Sequence, residues 1–188
     1  MSKDLKNSKY WVNKLDLESH IEGGYFKRVY ESSERIHISQ LPEYFSNTNE
    51  NKKTSLEYRY LCTAIYYLLE KGQVSKFHRI KSDETWHFYA GNSLNIYTIQ
   101  DGKIITNKLG NNLEEGENFQ ITVPKNTWFA AEPLGDYTLV GCTVSPGFEY
   151  VDFKMATLED LKNSIDEVNL SNLNDETLLK FVSFDCKK

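Results

Sequence analysis

The sequence predicts an all-β fold, a double-sheet jelly roll or barrel, with short helical segments at its two ends. Short runs with strand-like patterning follow one another from residue 61 to residue 144, and glycine-containing turns separate them. The chain's 188 residues suit one domain with a substantial core and little more. A change of pattern after residue 156 marks where the strands give way to helix.

Taken in order, residues 9–18 place Trp11, Val12 and Leu15 on one helical face. Glu22-Gly23-Gly24-Tyr25-Phe26 then turns the chain into a strand ending near Tyr30, since paired glycines permit backbone angles that other residues resist. The run 46–53 is polar and reads as a solvated loop within one domain, not a boundary. Strands are expected at 61–69, 73–79, 84–90, 93–99, 103–108, 119–123, 127–132 and 137–144. Asp101-Gly102 is the strongest hairpin signal, because both residues suit the positive φ of a turn that matches strand twist. Thr157 caps a helix that starts at Leu158, and residues 175–182 carry a weaker helical pattern. The expected arrangement is one domain over 1–188, with a core at about 11–161 and a C-terminal extension from about 165 to 188.

Composition narrows the functional classes. The formal charge of −5, with no Lys/Arg stripe, argues against a nucleic-acid partner. Three cysteines at unrelated spacings do not make a disulfide framework, and the polar N-terminus lacks a signal-peptide pattern. The longest apolar run, Ala64 to Leu69, is far too short to cross a membrane as a helix. A cytoplasmic protein with no membrane partner is the expectation. Aromatics at 13% leave large flat side chains to line a core or a pocket.

The chemistry concentrates between Gly72 and Gly91. Five residues after Gly72 stand before His78, Ile80 follows two positions on, Glu84 comes after three more residues, and Gly91 after a further six. This spacing resembles the first cupin motif, with Ile80 in place of its second histidine. Further blocks extend the likeness: His20-Ile21-Glu22-Gly23-Gly24-Tyr25-Phe26, Ile65 to Leu69, Ser82 to Tyr89, Gly116-Glu117 with Gln120, Val123-Pro124, Trp128 to Ala131, and Gly141 to Phe148. Together, from about Trp11 to Leu161, they resemble the uncharacterised Cupin_5 family of the cupin superfamily. Ile21 stands where that family usually has proline, and Asn126 where it usually has glycine.

The resemblance implies a cupin double-stranded β-helix with the fold of the rhamnose-pathway epimerase. It also implies a homodimer, with Gly24 to Tyr30 as the segment contributed to the partner.

In such a barrel alternate residues face the lumen, so His78, Ile80 and Glu84 point inward together, with Trp86 and Phe88 following Glu84. Two chemistries are open, and the cofactor is accordingly none or one divalent metal ion. In the metal-free reading His78 and Glu84 form an acid–base pair for proton abstraction beside a carbonyl, as in a sugar or sugar-nucleotide epimerase or isomerase. In the metal reading His78, Glu84 and His87 are the ligands. Ile80 and Phe129 occupy the other two positions a metal cupin uses, and His87 reaches the lumen only if a bulge turns it inward.

For a small-molecule ligand, Trp86, Trp128 and Tyr137 are candidate stacking platforms, and Phe88 and Phe129 candidate walls. Ser75 and Gln120 are candidate polar contacts, and Arg28 is a candidate anchor for an anionic group at the mouth. A non-catalytic binding barrel is the alternative from another class.

Overall fold

Turn chemistry and strand alternation place the eight strands expected between residues 61 and 144 within two residues of their observed bounds, while four short strands outside that run were not expected. The computed structural model describes residues 6–46, 56–166, 169 and 175–182. It opens with helix α1 (Ser8–Leu15), capped by the Asn7 side chain, which accepts the Tyr10 N–H. The helix stops three residues earlier than its pattern predicts, because Asp16 enters the left-handed region at φ 54° and its N–H closes onto the Val12 carbonyl.

Short β1 (Glu18–Ser19) and β2 (Tyr25–Glu31) follow, then β3 (Arg35–His37) and β4 (Tyr58–Tyr60), which pair in a separate ribbon. Of the predicted polar loop, Ser46 ends a 3-10 turn and residues 47–53 lie outside the described residues. The barrel strands are β5 (Thr63–Glu70), β6 (Ser75–Arg79), β7 (Asp83–Gly91), β8 (Leu94–Gln100), β9 (Lys103–Leu109), β10 (Gln120–Val123), β11 (Trp128–Pro133) and β12 (Tyr137–Ser145). The β8–β9 hairpin turns on Asp101 and Gly102, at φ 47° and 73°.

The strands form a six-stranded sheet in the order β1-β2-β5-β12-β7-β10 and a five-stranded one led by β13 (Lys154–Met155), in the order β13-β6-β11-β8-β9. All pairings between these strands are antiparallel. Their facing sides are filled at one end by Tyr67, Leu69, Trp86, Leu94, Ile96, Leu109, Phe129 and Val140. At the other end ionisable groups replace hydrocarbon, and a cavity opens.

The outer faces need cover as well. Strand β11 alternates, sending Phe129 and Ala131 inward and Trp128 and Ala130 outward. The outward pair is buried by α2 (Leu158–Ser164) and by Leu178, Phe181 and Val182 in and just after α3 (Asp175–Lys180). A reciprocal capping box between Thr157 and Asp160 starts α2. Helix α1 lays Trp11, Val12 and Leu15 beside Leu17, Leu68 and Leu139 on the six-stranded sheet.

Two devices set the cavity end. The segment after β12 is anchored by buried Asp152, whose carboxylate accepts from Arg59 Nε at 2.7 Å and Nη2 at 3.1 Å, with Lys81 Nζ 3.3 Å away. The turn before β2 is held by His20 N–H to Gly24 O and Gly23 N–H to His20 O, while Glu22 O takes the Lys76 N–H of β6. Gly23 has φ 116°, and a Cβ there would lie 2.1 Å from the Val74 carbonyl oxygen. Only glycine lets this turn press against the barrel.

A Gly23→Ala substitution is therefore expected to lower stability by about 1–3 kcal/mol, read from urea unfolding. A change under about 0.5 kcal/mol, within the usual range for neutral surface substitutions, would show that the turn is not under this constraint.

Candidate functional site

The cavity at the open end of the barrel has a volume of about 290 Å³. His20 and Glu22 enter it from the glycine turn, Phe26 and Arg28 from β2, and Ile65 from β5. His78 and Ile80 come from β6 and the residue after it, Glu84 from β7, and Cys142 and Val144 from β12. Phe148, Glu149, Tyr150 and Phe153 close one side. Arg28 sits toward the mouth, its Nη2 donating to the Phe148 carbonyl at 3.2 Å and its Nη1 3.4 Å from Glu31.

His78 is held on every side. Its ring centroid lies 4.0 Å from that of Phe129 and 5.3 Å from that of Phe153. Nδ1 lies 2.7 Å from the Lys76 carbonyl oxygen, and Nε2 lies 3.2 Å from Glu22 Oε2. Ser75, fully buried, donates its hydroxyl to Glu22 Oε1 at 3.0 Å. His20 approaches the same oxygen, Nδ1 3.7 Å from Oε2, with its ring edge-on to Phe26.

Burial in these apolar walls works against every charge. It lowers His78 from 6.5 to about 4, the Lys76 carbonyl only partly offsetting it. It raises Glu84 from 4.5 to about 8, helped by the neighbouring Glu22 carboxyl and opposed by the Cys142 thiol. Burial also pushes Glu22 up, against the pull of His20, Ser75 and Tyr67, and it pushes His20 down. At neutral pH the imidazole of His78 is therefore uncharged and Glu84 carries its proton.

Of the residues singled out from the sequence, His78, Glu84 and Arg28 line the cavity, with Ser75 and Phe129 directly behind it. The others fall elsewhere. Trp86 packs edge-on to Tyr67 and Phe129 inside the apolar end, and Phe88 lies against the same cluster. Trp128 faces outward, with the Arg79 guanidinium 4.5 Å and the Lys154 ammonium 5.5 Å from its ring centroid. Tyr137 is no platform: its hydroxyl accepts from Trp11 Nε1 at 3.0 Å and donates to Lys6 O at 2.7 Å, fastening α1. Gln120 is exposed at an edge strand, directly opposite His87.

His87 also lies away from the cavity. The β7–β12 register is regular from Asp83 through Phe88, so His87 faces the opposite side from Glu84, its Nε2 3.2 Å from Thr143 Oγ1. A bulge does occur in this pair, but beyond Phe88, too late to turn His87 inward. With Ile80 and Phe129 apolar, the ligand set His78, Glu84 and His87 is not assembled. No group of three or more His, Cys, Asp or Glu side chains is arranged to hold a metal ion among the described residues. The residues present thus do not fit the metal of a typical cupin.

Sequence reasoning missed His20 and Glu22. The signal was present in the block His20-Ile21-Glu22-Gly23-Gly24, where two ionisable residues at alternate positions precede a glycine turn, but nothing local indicates that the turn folds into the lumen.

Two antiparallel sheets enclosing an imidazole–carboxyl cavity at one end define a small cupin-type barrel. Comparison with known proteins agrees: the Cupin_5 family (Cupin superfamily, DUF985) matches residues 9–156, and the chain belongs to it. Protein SO0799 from Shewanella oneidensis superposes with a TM-score of 0.74 at 34% identity, covering 94% of this chain and 98% of that one. A hypothetical protein from Leishmania major gives 0.69 at 27% identity, over 95% and 99% of the two chains. An uncharacterised protein of Saccharomyces cerevisiae, YML079W, is 28% identical over 155 residues, 79% of this chain and 75% of its own length. No helix among the described residues is long and apolar enough to cross a membrane.

The two proton shifts carry opposite signs for stability. Glu84 keeps in the folded state a proton that the unfolded chain releases near 4.5, so its contribution is whole below 4.5 and is lost as pH rises through about 8. His78 refuses a proton that the unfolded chain accepts near 6.5, so its contribution is whole above 6.5 and is lost as pH falls toward about 4. Glu84→Gln is expected to flatten the alkaline limb, gaining on wild type by on the order of 1 kcal/mol per pH unit between pH 6.5 and 8. Unfolding curves at several pH values that stay parallel for the two proteins would overturn the assignment. His87→Ala is expected to cost under about 1 kcal/mol and to leave any ligand-induced rise in Tm unchanged in a thermal-shift assay.

Proposed function

We propose that this protein binds a small carbonyl-bearing metabolite in the barrel cavity and moves a proton at the carbon beside the carbonyl, as an isomerase or epimerase does. One observation carries the reading: His78 and Glu84 face a single cavity with their proton affinities displaced in opposite directions, to about 4 and about 8. At neutral pH the His78 end is proton-poor and the Glu84 end carries an acid. Such a division of two titratable groups assigns the base and the acid of a proton-transfer site. A neutral carboxyl can donate a hydrogen bond to the carbonyl oxygen and stabilise the negative charge that develops there.

The cavity's size narrows the ligand. Its volume of about 290 Å³ lies just below the ~300–1,000 Å³ usual for ligand pockets. A sugar-like ring or a short oxo acid suits that space, and an attached nucleotide would extend through the mouth past Arg28. The epimerase comparison drawn from the sequence supports this class by fold analogy alone.

The test is solvent deuterium exchange. Incubated in D₂O with a panel of trioses, pentoses, hexoses and 2-oxo acids, the protein is expected to place deuterium beside the carbonyl of at least one compound, followed by NMR. The rate is expected to hold between pH 4 and 8 and to fall outside, since the base form of His78 exists above about 4 and the acid form of Glu84 below about 8. Glu84→Gln is expected to slow exchange by about 10²–10⁴-fold. Ligand-dependent thermal stabilisation without exchange in any compound would replace this reading by a non-catalytic binding barrel.

A further inference from the structure

Both nitrogens of the His78 ring lie close to protein oxygens. The Lys76 carbonyl oxygen, 2.7 Å from Nδ1, can only accept, so Nδ1 carries the ring hydrogen. In the neutral ring Nε2 is then a lone pair, and 3.2 Å from it stands a carboxyl oxygen, Glu22 Oε2. At 3.2 Å two such lone pairs repel, and one proton placed between them relieves the repulsion. With the imidazole neutral, Glu22 holds that proton and donates it to His78.

The rest of the cluster fits this assignment. Ser75 Oγ donates to the second Glu22 oxygen, Oε1, at 3.0 Å. The Glu22 backbone N–H points at His20 Nδ1 from 3.4 Å, which makes that nitrogen an acceptor as well. Burial disfavours the charged form of both Glu22 and His78, as a neutral pair requires and an ion pair does not. A protonated carboxyl keeps acceptor capacity beside its single O–H donor, so Glu22 can still accept toward the cavity it lines. His78 has none left.

We infer that Glu22 is the catalytic residue that exchanges a proton with the ligand, and that His78 is a positioning residue that takes up the proton Glu22 gives away. The inference rests on the acid–base reading of the cavity and changes which side chain meets the ligand. In the transfer step the C–H bond beside the carbonyl breaks and its proton joins a Glu22 oxygen. The proton Glu22 held crosses to His78 Nε2, and the resulting imidazolium is steadied by the Lys76 carbonyl on Nδ1. The electron pair of the C–H bond passes to the carbonyl oxygen as an enolate, which accepts a hydrogen bond from the Glu84 carboxyl. Reversal with delivery to the carbon completes the exchange, and no oxidant or reductant is involved. Titratable and charged groups facing the pair come from each surrounding element: Glu18 and His20 before β2, Arg28 on β2, Glu84 on β7, Cys142 on β12 and Tyr150 after it line the same cavity, and Tyr67 on β5 acts on Glu22.

Nitrogen NMR of histidine-labelled protein tests the assignment without any ligand. At neutral pH His78 is expected as the Nδ1–H tautomer, with Nε2 a hydrogen-bonded acceptor. In Glu22→Gln the amide replaces a strong O–H donor by a weak N–H donor. The Nε2 resonance should then move toward that of a weakly bonded acceptor, with tautomer and fold retained. The same variant is expected to lose at least about a hundredfold in deuterium exchange with the sugar and oxo-acid panel. An Nε2–H tautomer or an imidazolium in wild type would overturn the assignment, as would a variant keeping more than a tenth of the exchange rate. Wild-type protein that exchanges no compound would sink the acid–base reading and the transfer step with it, whereas the NMR result decides the Glu22–His78 hydrogen bond by itself.

Discussion

The cavity end of this barrel depends on one close contact, between the Glu22 carboxyl and the His78 imidazole, 3.2 Å apart. Each group is buried, and each would be costly to leave charged or unpaired there. Brought together, they share one buried corner of the cavity with Ser75. To make the contact the chain must turn sharply at Gly23 and Gly24, clasp β6 through the Glu22 carbonyl, and bring Ser75 under the second carboxyl oxygen. The path of the N-terminal segment and the chemistry of the lumen are thus one constraint.

Apolar walls convert that arrangement into opposed proton affinities. Phe129 and Phe153 flank His78, and Ile80, Val144 and Ile65 line the space that Glu84 shares. Such surroundings offer little polarisation to a charge, so a base there loses affinity for a proton and an acid gains it. The same hydrocarbon that fills the other end of the barrel therefore sets the ionisation of this end. The Arg59–Asp152–Lys81 cluster works at one remove: it fixes the segment carrying Phe148, Tyr150 and Phe153 against the mouth.

In metal-dependent cupins the first motif would carry ligands of the metal. In this Cupin_5 chain its glycines, histidine and glutamate remain, while the second histidine is Ile80 and the second-motif position is Phe129. The loss of two donors leaves the retained ones free for other partners. His78 meets Glu22, which comes from outside the motif, and Glu84 meets Cys142.

By itself the sequence determined the eight strands between residues 61 and 145, the β8–β9 turn, and the inward register of His78, Ile80 and Glu84. Those features are local: a period of two assigns faces, and residues such as Asp101 and Gly102 assign turns whatever the rest of the chain does. What surrounds the cavity was decided only by tertiary structure. Trp128 and Tyr137 are taken by the C-terminal helices and by α1, elements far away in sequence, and Gln120 ends on an exposed edge. His20 and Glu22 reach His78 across more than fifty residues of chain because the glycine turn docks on β6. Periodicity reports which face of its own strand a residue occupies. Which remote segment covers that face depends on how the sheets close, and closure is a property of the packed whole.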